Sequence, residues 1–339
     1  MRHKATLKDL AIGLGVSVST VSKALSNSEE ISESTKIKVK EFAALYNYQP
    51  NAMAKNLKNQ RTNTIGVIIP NILNPFFAKV FSGIENFANK KGYNVITYIS
   101  NESFEKEKQA LELLSNGTVD GFIISIAKET QILKNYNHYN SIIKHGMPIV
   151  MFDRVAEQVD CDKVIVDDYE SSVNAVNHLI KLNCQKIALL SCIDDLSIGK
   201  LRANGYEKAL LDNNIEINPD FIIKTDNLEE FDLALTNLIL QKQIDGVFAL
   251  DEHSSTMAMK LALLNNIRIP EDLCIIGFAD GIWSRRLTPS LSTVSQHGPE
   301  IGKKATELLI KRIENKQEDY NYKTTVINTE LRKRDSTRR

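Results

Sequence analysis

The chain has 339 residues, 42% of them hydrophobic and 25% charged, with 42 Lys and Arg against 42 Asp and Glu. That length holds two or three compact units of ordinary globular composition, and a zero net charge by itself nominates no partner. Residues 1–60, however, carry nine basic side chains against five acidic ones, the imbalance expected of a nucleic-acid contact surface.

The opening Met1-Arg2-His3-Lys4-Ala5-Thr6 lacks the apolar run of a secretory signal, and no stretch is long and apolar enough for a bilayer span. Cys161, Cys184, Cys192 and Cys274 show no C-x-x-C spacing, so buried free thiols in a reducing cytosol are expected in place of a disulfide framework.

In chain order, Leu7, Leu10, Ala11 and Leu14 form one apolar helical face opened by Thr6. After Gly15 and Val16, Ser17 caps a second helix that buries Val21, Ala24 and Leu25. Ala11, Gly15 and Val21 thus supply a small contact residue, a turn residue tolerating positive φ and a β-branched core contact, as a helix-turn-helix requires. A third helix after Ser32 turns Val39, Phe42, Ala43 and Tyr46 inward. A generic three-helix bundle is the competing reading. Pro50 then breaks the helix, and Asn51 can cap a further one too short to stand alone.

Beyond the 60–63 linker the periodicity changes. Apolar runs at 65–69, 94–99, 121–126, 149–152, 164–166, 187–190, 246–250, 273–277 and 326–331 read as strands. Amphipathic stretches at 76–90, 104–114, 171–182, 205–211, 254–264 and 301–313 read as helices between them. Continuous apolar strands separated by helices imply parallel sheets covered on both faces, and nine strands fit two doubly wound subdomains better than one sheet.

No catalytic pattern emerges. Gly13-x-Gly15 lies between helices and is no dinucleotide fingerprint; P-loop, G-x-S-x-G and H-E-x-x-H patterns are absent, and the six histidines lack metal-ligand spacing. A non-enzymatic protein without cofactor or metal is expected.

Two motifs make the resemblance specific. Val16 to Ser22 matches V-S-x-x-T-V-S, and Tyr48, Pro50, Asn51, Ala54, Leu57 and Lys58 match Y-x-P-N-x-x-A-x-x-L-K. Residues 6–58 resemble the headpiece and hinge helix of the LacI/GalR family of transcriptional regulators. The body resembles the family's periplasmic-binding-protein-like core almost end to end, through Asn74-Pro75-Phe76-Phe77, Arg202-x-x-Gly205-Tyr206, Ile276-Gly277-Phe278-Ala279-Asp280 and Thr288-Pro289.

The resemblance implies an all-α helix-turn-helix headpiece at 1–50 and a hinge helix with its linker at 51–63. It implies an α/β effector-binding and dimerisation core at 64–339, built of two doubly wound parallel-sheet subdomains. The chain would cross between these three times: an N-subdomain of 64–163 plus 294–325, and a C-subdomain of 164–293 plus 326–339.

It further implies a cytoplasmic homodimer or dimer of dimers on a palindromic double-stranded operator, probed in the major groove by Ser17, Val18, Ser19 and Lys23. Lysine donates to guanine, serine serves several bases and valine meets a thymine methyl. The alternative for Val18 is a core position, one turn before Val21. In the minor groove the contacts would be Asn51, Lys55, Leu57 and Lys58, with Leu57 wedged between base pairs. The effector, a sugar or sugar derivative, would bind between the subdomains against Asn74, Phe76, Phe77, Asp153, Arg154, Arg202, Asp251 and Asp280.

Arg202 facing Asp153 and Asp251 would hold hydroxyls; each phenylalanine is either a ring platform or core. Asp280 takes an acidic role because Ala279 stands where many relatives carry aspartate. Trp283 lies on the same loop, at the cleft or on a dimer surface. An exported sugar-binding protein and a ligand-free architectural DNA binder are the rival functions. The sequence leaves open whether effector releases or promotes DNA binding.

Overall fold

A computed structural model describes residues 5–48, 61–241, 243–279, 281–315 and 321–338, in two compact units that divide after Thr62. In the first unit, α1 (Leu7–Leu14), α2 (Val18–Leu25) and α3 (Glu33–Leu45) surround a small core of Leu10, Ala11, Val21, Ala24, Val39 and Ala43. Thr6 and Asp9 form a reciprocal capping box that fixes the start of α1. Ser17 and Ser32 cap α2 and α3 by accepting from the Thr20 and Thr35 amides. Gly15 ends α1 at φ 67°, a left-handed conformation that glycine takes without strain. Tyr46 departs from the expected inward face. It is exposed and rests on Phe42 at 4.7 Å between ring centroids, because α3 ends at Leu45 and Tyr46 caps it.

The second unit holds two six-stranded sheets. The first contains β1 (Thr64–Ile69), β2 (Asn94–Ile99), β3 (Gly121–Ile124), β4 (Ile149–Phe152), β5 (Asp162–Val166) and β11 (Thr324–Ile327). Their order is β11-β5-β4-β3-β1-β2, all parallel, and central Val67 pairs with Thr97 on one side and Ile123 on the other. The second sheet takes β6 (Ile187–Ser191), β7 (Ile222–Lys224), β8 (Gly246–Ala249), β9 (Cys274–Phe278), β10 (Ser292–Ser295) and β12 (Glu330–Arg332). Its order is β12-β10-β9-β8-β6-β7, parallel except for the antiparallel edge β10–β12. The one strand expected over 326–331 is therefore two, in different sheets, because the chain crosses between them at Asn328 and Thr329.

Helices cover both faces of each sheet, which is why the inner strands are apolar throughout. On the first sheet α4 (Pro75–Lys90) and α12 (Gly298–Glu314) share one face with Val80, Ile84, Ile301, Ala305 and Leu309. They cross so closely that a Cβ on Gly83 would overlap the Pro299 carbonyl, and one on Gly302 the Val80 carbonyl. The opposite face carries α5 (Phe104–Ser115), the short α6 (Lys128–Leu133) and α7 (Asn137–Lys144), with Leu111, Phe122 and Tyr139 between. The second sheet is flanked by α8 (Asp168–Lys181) and α9 (Ser197–Asp212) on one side, and by α10 (Leu228–Leu240) and α11 (Glu252–Leu264) on the other.

The chain passes between the two halves three times: after Val166, after Ser295 and after Ile327. The sequence reading put these passages at 163, 293 and 325; the strands carry each two or three residues further. The first and third are tied together, the Thr329 amide donating to Asp167 at 2.8 Å. Arg312 of α12 anchors the same region through hydrogen bonds of 2.6 and 3.1 Å to buried Asp162.

Candidate functional site

Parallel α/β sheets present loops and helix N-termini beyond the carboxyl ends of their strands. The second unit places a cleft there. It is partly open to solvent, has a cavity volume of about 60 Å³, and is lined from both halves by Asn74, Phe76, Phe77, Asp153 and Arg154, and by Ile193, Ile198, Arg202, Asp251, Glu252, Phe278, Ala279 and Gln296. Asn74 lies beyond β1, Asp153 directly follows β4, Asp251 lies just past β8, Ala279 follows β9 and Gln296 follows β10. Chain geometry, not sequence proximity, brings them together.

Asn74 caps α4, its amide oxygen accepting from the Phe76 amide at 2.9 Å; its NH2 group is the end that remains for a ligand. Phe76 and Phe77 are both core and lining. They are buried, edge to face at 5.3 Å, and Phe77 also meets Phe152. Above Phe77, at 5.5 Å, lies the Arg154 guanidinium, held by two bonds from Nη1 to the Glu102 carboxylate at 2.7 and 2.9 Å. Arg154 Nε is buried without a hydrogen-bond partner.

Asp153 sits between these groups. Its backbone is left-handed, φ 59°, a strained conformation that aspartate tolerates better than most side chains. Burial pushes its carboxyl up to about 6, against the opposing pull of Arg154 and Arg202.

Across the cleft, Arg202 projects from α9 and is almost fully buried. Its Nε donates to Asp168 at 2.7 Å, its Nη1 to the Leu250 carbonyl at 2.7 Å, and its plane lies 3.8 Å from the Phe278 ring centroid. The remaining nitrogen, Nη2, is buried and has no hydrogen-bond partner. Burial raises the Asp168 carboxyl despite this pairing.

Arg202, expected to face Asp153 and Asp251, shares the cleft lining with both and is itself ion-paired with Asp168. Asp251 caps α11: one oxygen accepts from the Ser254 amide at 2.9 Å, the other from the Cys192 amide at 2.9 Å and the Ser254 hydroxyl at 2.7 Å. Its acceptor capacity serves the fold and shapes the cleft wall. Asp280 lies outside the described residues, while Ala279 before it lines the cleft. Trp283 is exposed and is not among the cleft residues.

Sequence reasoning missed Asp168, Phe278 and Gln296. Each stands at or just past a strand's carboxyl end, and that position is the signal that identifies them.

In the first unit, Ser17, Val18 and Ser19 at the start of α2 are exposed, Val18 by 45%, so Val18 is a surface residue and not core. The Ser17 hydroxyl serves as the cap and also meets Thr20 at 2.9 Å. Lys23, half-buried, is ion-paired with Glu30. Asn51, Lys55, Leu57 and Lys58 lie outside the described residues.

Residues 6–51 match the family profile described as bacterial regulatory proteins, lacI family, and residues 176–337 match the periplasmic binding protein-like domain. The HTH-type transcriptional repressor PurR of Aliivibrio fischeri (strain ATCC 700601 / ES114) is 31% identical, over 93% of this chain and 94% of that protein. The chain belongs to the LacI family. The ribose operon repressor of Haemophilus influenzae is likewise 31% identical, over 95% of this chain and 96% of its own length. A lac repressor dimer, solved bound to operator and the anti-inducer ONPF, superposes with a TM-score of 0.86 over 99% of both chains at 22% identity, a likeness of fold. This LacI-family member is thus a transcriptional repressor with a helix-turn-helix module and a ligand-binding domain. No described helix is long and apolar enough to cross a membrane.

Proposed function

We propose that this repressor senses a small polyhydroxylated molecule, a sugar or sugar derivative, in the cleft between its two sheets. The observation that carries the reading is the pairing of unfilled groups across the cleft. Arg202 Nη2 and Arg154 Nε are buried donors without hydrogen-bond partners, and the buried Asp153 carboxylate, 3.9 Å from Arg154 Nε, is an acceptor. A vicinal diol answers both needs, since each hydroxyl accepts from a guanidinium and donates to a carboxylate. The asparagine and glutamine side chains of the lining add neutral polar contacts, and the Phe76 and Phe77 rings offer apolar surface to ring C–H groups. Acidic side chains balance the two arginines, which disfavours a strongly anionic ligand.

The likeness to a ribose operon repressor supports the same class. In the first unit, Val18, Ser19 and Lys23 read the major groove of one operator half-site, two copies meeting a palindrome, with Asn51, Lys55, Leu57 and Lys58 in the minor groove. The protein acts in the cytoplasm, with DNA and effector as partners and no chemistry of its own.

Calorimetry of the full chain against aldopentoses, hexoses and free nucleobases tests the class directly. Binding of a sugar by the wild type, weakened at least tenfold in Asp153→Asn, is expected. Binding of nucleobases alone would replace this reading with an aromatic-heterocycle sensor.

A further inference from the structure

At the mouth of the cleft the two halves also touch through groups that line no ligand space. From the first half, Lys128 at the start of α6 reaches Asp195 and Asp226 of the second, at 3.0 and 2.5 Å. One turn on, Gln131 exchanges two hydrogen bonds with Ser197 at the start of α9: its amide donates to the Ser197 hydroxyl at 3.0 Å, and its oxygen accepts from the Ser197 amide at 3.3 Å. A helix of six residues would be a weak mount by itself. Two carboxylates, one buried and one partly exposed, hold it. Glu107, wholly buried, accepts from the Ala127 amide and the Thr130 hydroxyl, each at 2.7 Å. Glu102 accepts from the Lys128 amide at 2.8 Å with the same carboxylate that holds cleft-lining Arg154.

We infer that α6 is an electrostatic clasp: Lys128, with Gln131 beside it, fastens the two halves across the cleft mouth. Glu102 connects the clasp to the cleft wall. A ligand that shifts Arg154 pulls on the carboxylate that seats Lys128, so filling the cleft and fastening its mouth become one event. The aspartates lie on loops before α9 and α10, and both are more than half exposed. The clasp therefore weakens with salt, as partly solvated ion pairs do, while the apolar cores do not.

Hydrogen–deuterium exchange on the full-length protein, without ligand, reads the clasp directly. In low salt, Lys128→Met should raise exchange about two- to tenfold in the segments around 126–133, 193–200 and 225–230, the scale of a few screened ion pairs. The β1, β3, β8 and β9 amides should be unchanged. In about 1 M salt, where the Debye length is about 3 Å, the wild type should approach the variant. Lys128→Arg should keep protection, and Lys128→Glu should regain part of it when combined with Asp226→Lys. Equal exchange of wild type and Lys128→Met in low salt would overturn the clasp. So would a loss spread over both sheets, which would mark Lys128 as part of general folding.

Discussion

Asp153 is the residue whose environment makes the sharpest claim. Its carboxyl rises from an ordinary 3.8 to about 6 through burial, so the folded protein binds its proton more tightly than the unfolded chain does. The stability this confers is full at about pH 4 and below, and is lost as pH rises through about 6. Asp153→Asn removes that dependence. The variant should be the more stable of the two above pH 6, by up to about 3 kcal/mol, with the gain fading towards pH 4. Denaturant unfolding at several pH values checks it; a variant less stable at every pH would refute the assignment. Sugar binding by the wild type should fall as pH drops below about 6, because the protonated acid loses acceptor capacity.

Arg202 carries a different expectation once its partners are known. Read as a ligand contact alone, it could be truncated without harm to the fold. The structure instead buries it against Asp168, so Arg202→Ala strands a carboxylate and should destabilise the core by about 3–5 kcal/mol. A Tm within a degree of wild type would contradict this. Arg202 itself was legible because an arginine in an α/β cleft motif stands out. Asp168 was not, since an acidic residue at a helix start reads as an ordinary dipole partner.

Among elements, the headpiece helices were the most legible. Their caps Thr6, Ser17 and Ser32 and their 3.6-residue spacing are local signals, and each helix begins at the expected residue. Val18 shows where pattern alone fails: one turn before Val21 it could have been core, and only packing decides. Its exposure predicts that Val18→Ala changes stability by less than about 0.5 kcal/mol. Operator affinity should nonetheless fall by about 1–3 kcal/mol, which a binding titration on selected operator DNA would measure.

Helices α6, α7 and α10 escaped sequence reading. The first two are short, and α10 mixes exposed Leu228, Leu233 and Leu240 with buried Phe231, Leu235 and Leu238, blurring its apolar face. Helix α9 was seen only in its second half because its first half turns Gly199 and Arg202 inward. At the α4–α12 crossing, Gly302→Ala would press a methyl onto the Val80 carbonyl and should destabilise by about 1–3 kcal/mol, visible as a lower Tm. An unchanged Tm would mean the two helices can part without loss.

For the whole molecule, strand order could not be read from the chain, because parallel pairing depends on contacts far apart in sequence. That two sheets exist was legible from the number of apolar runs. That β5 and β11 belong to one sheet while β10 and β12 belong to the other was not, since the polar run of β10 did not read as a strand and 326–331 read as one strand and not two. The cleft inherits the same difficulty: its two arginines lie 48 positions apart, on different halves.

Three passages between the halves also determine how this molecule can come apart. A single linker lets two bodies swivel in every direction and part at one proteolytic cut. Here a cut in the second passage leaves two covalent ties, and the Thr329–Asp167 bond holds those two together. Protease nicking near Gln296 should therefore leave a nicked protein that still migrates as one native species, its fragments separating only in denaturant. The three passages together remove most rotational freedom between the halves, leaving mainly a bend at the passages themselves. Opening and closing thus becomes a motion with nearly one degree of freedom, and any ligand that fills the cleft has only that one coordinate to move.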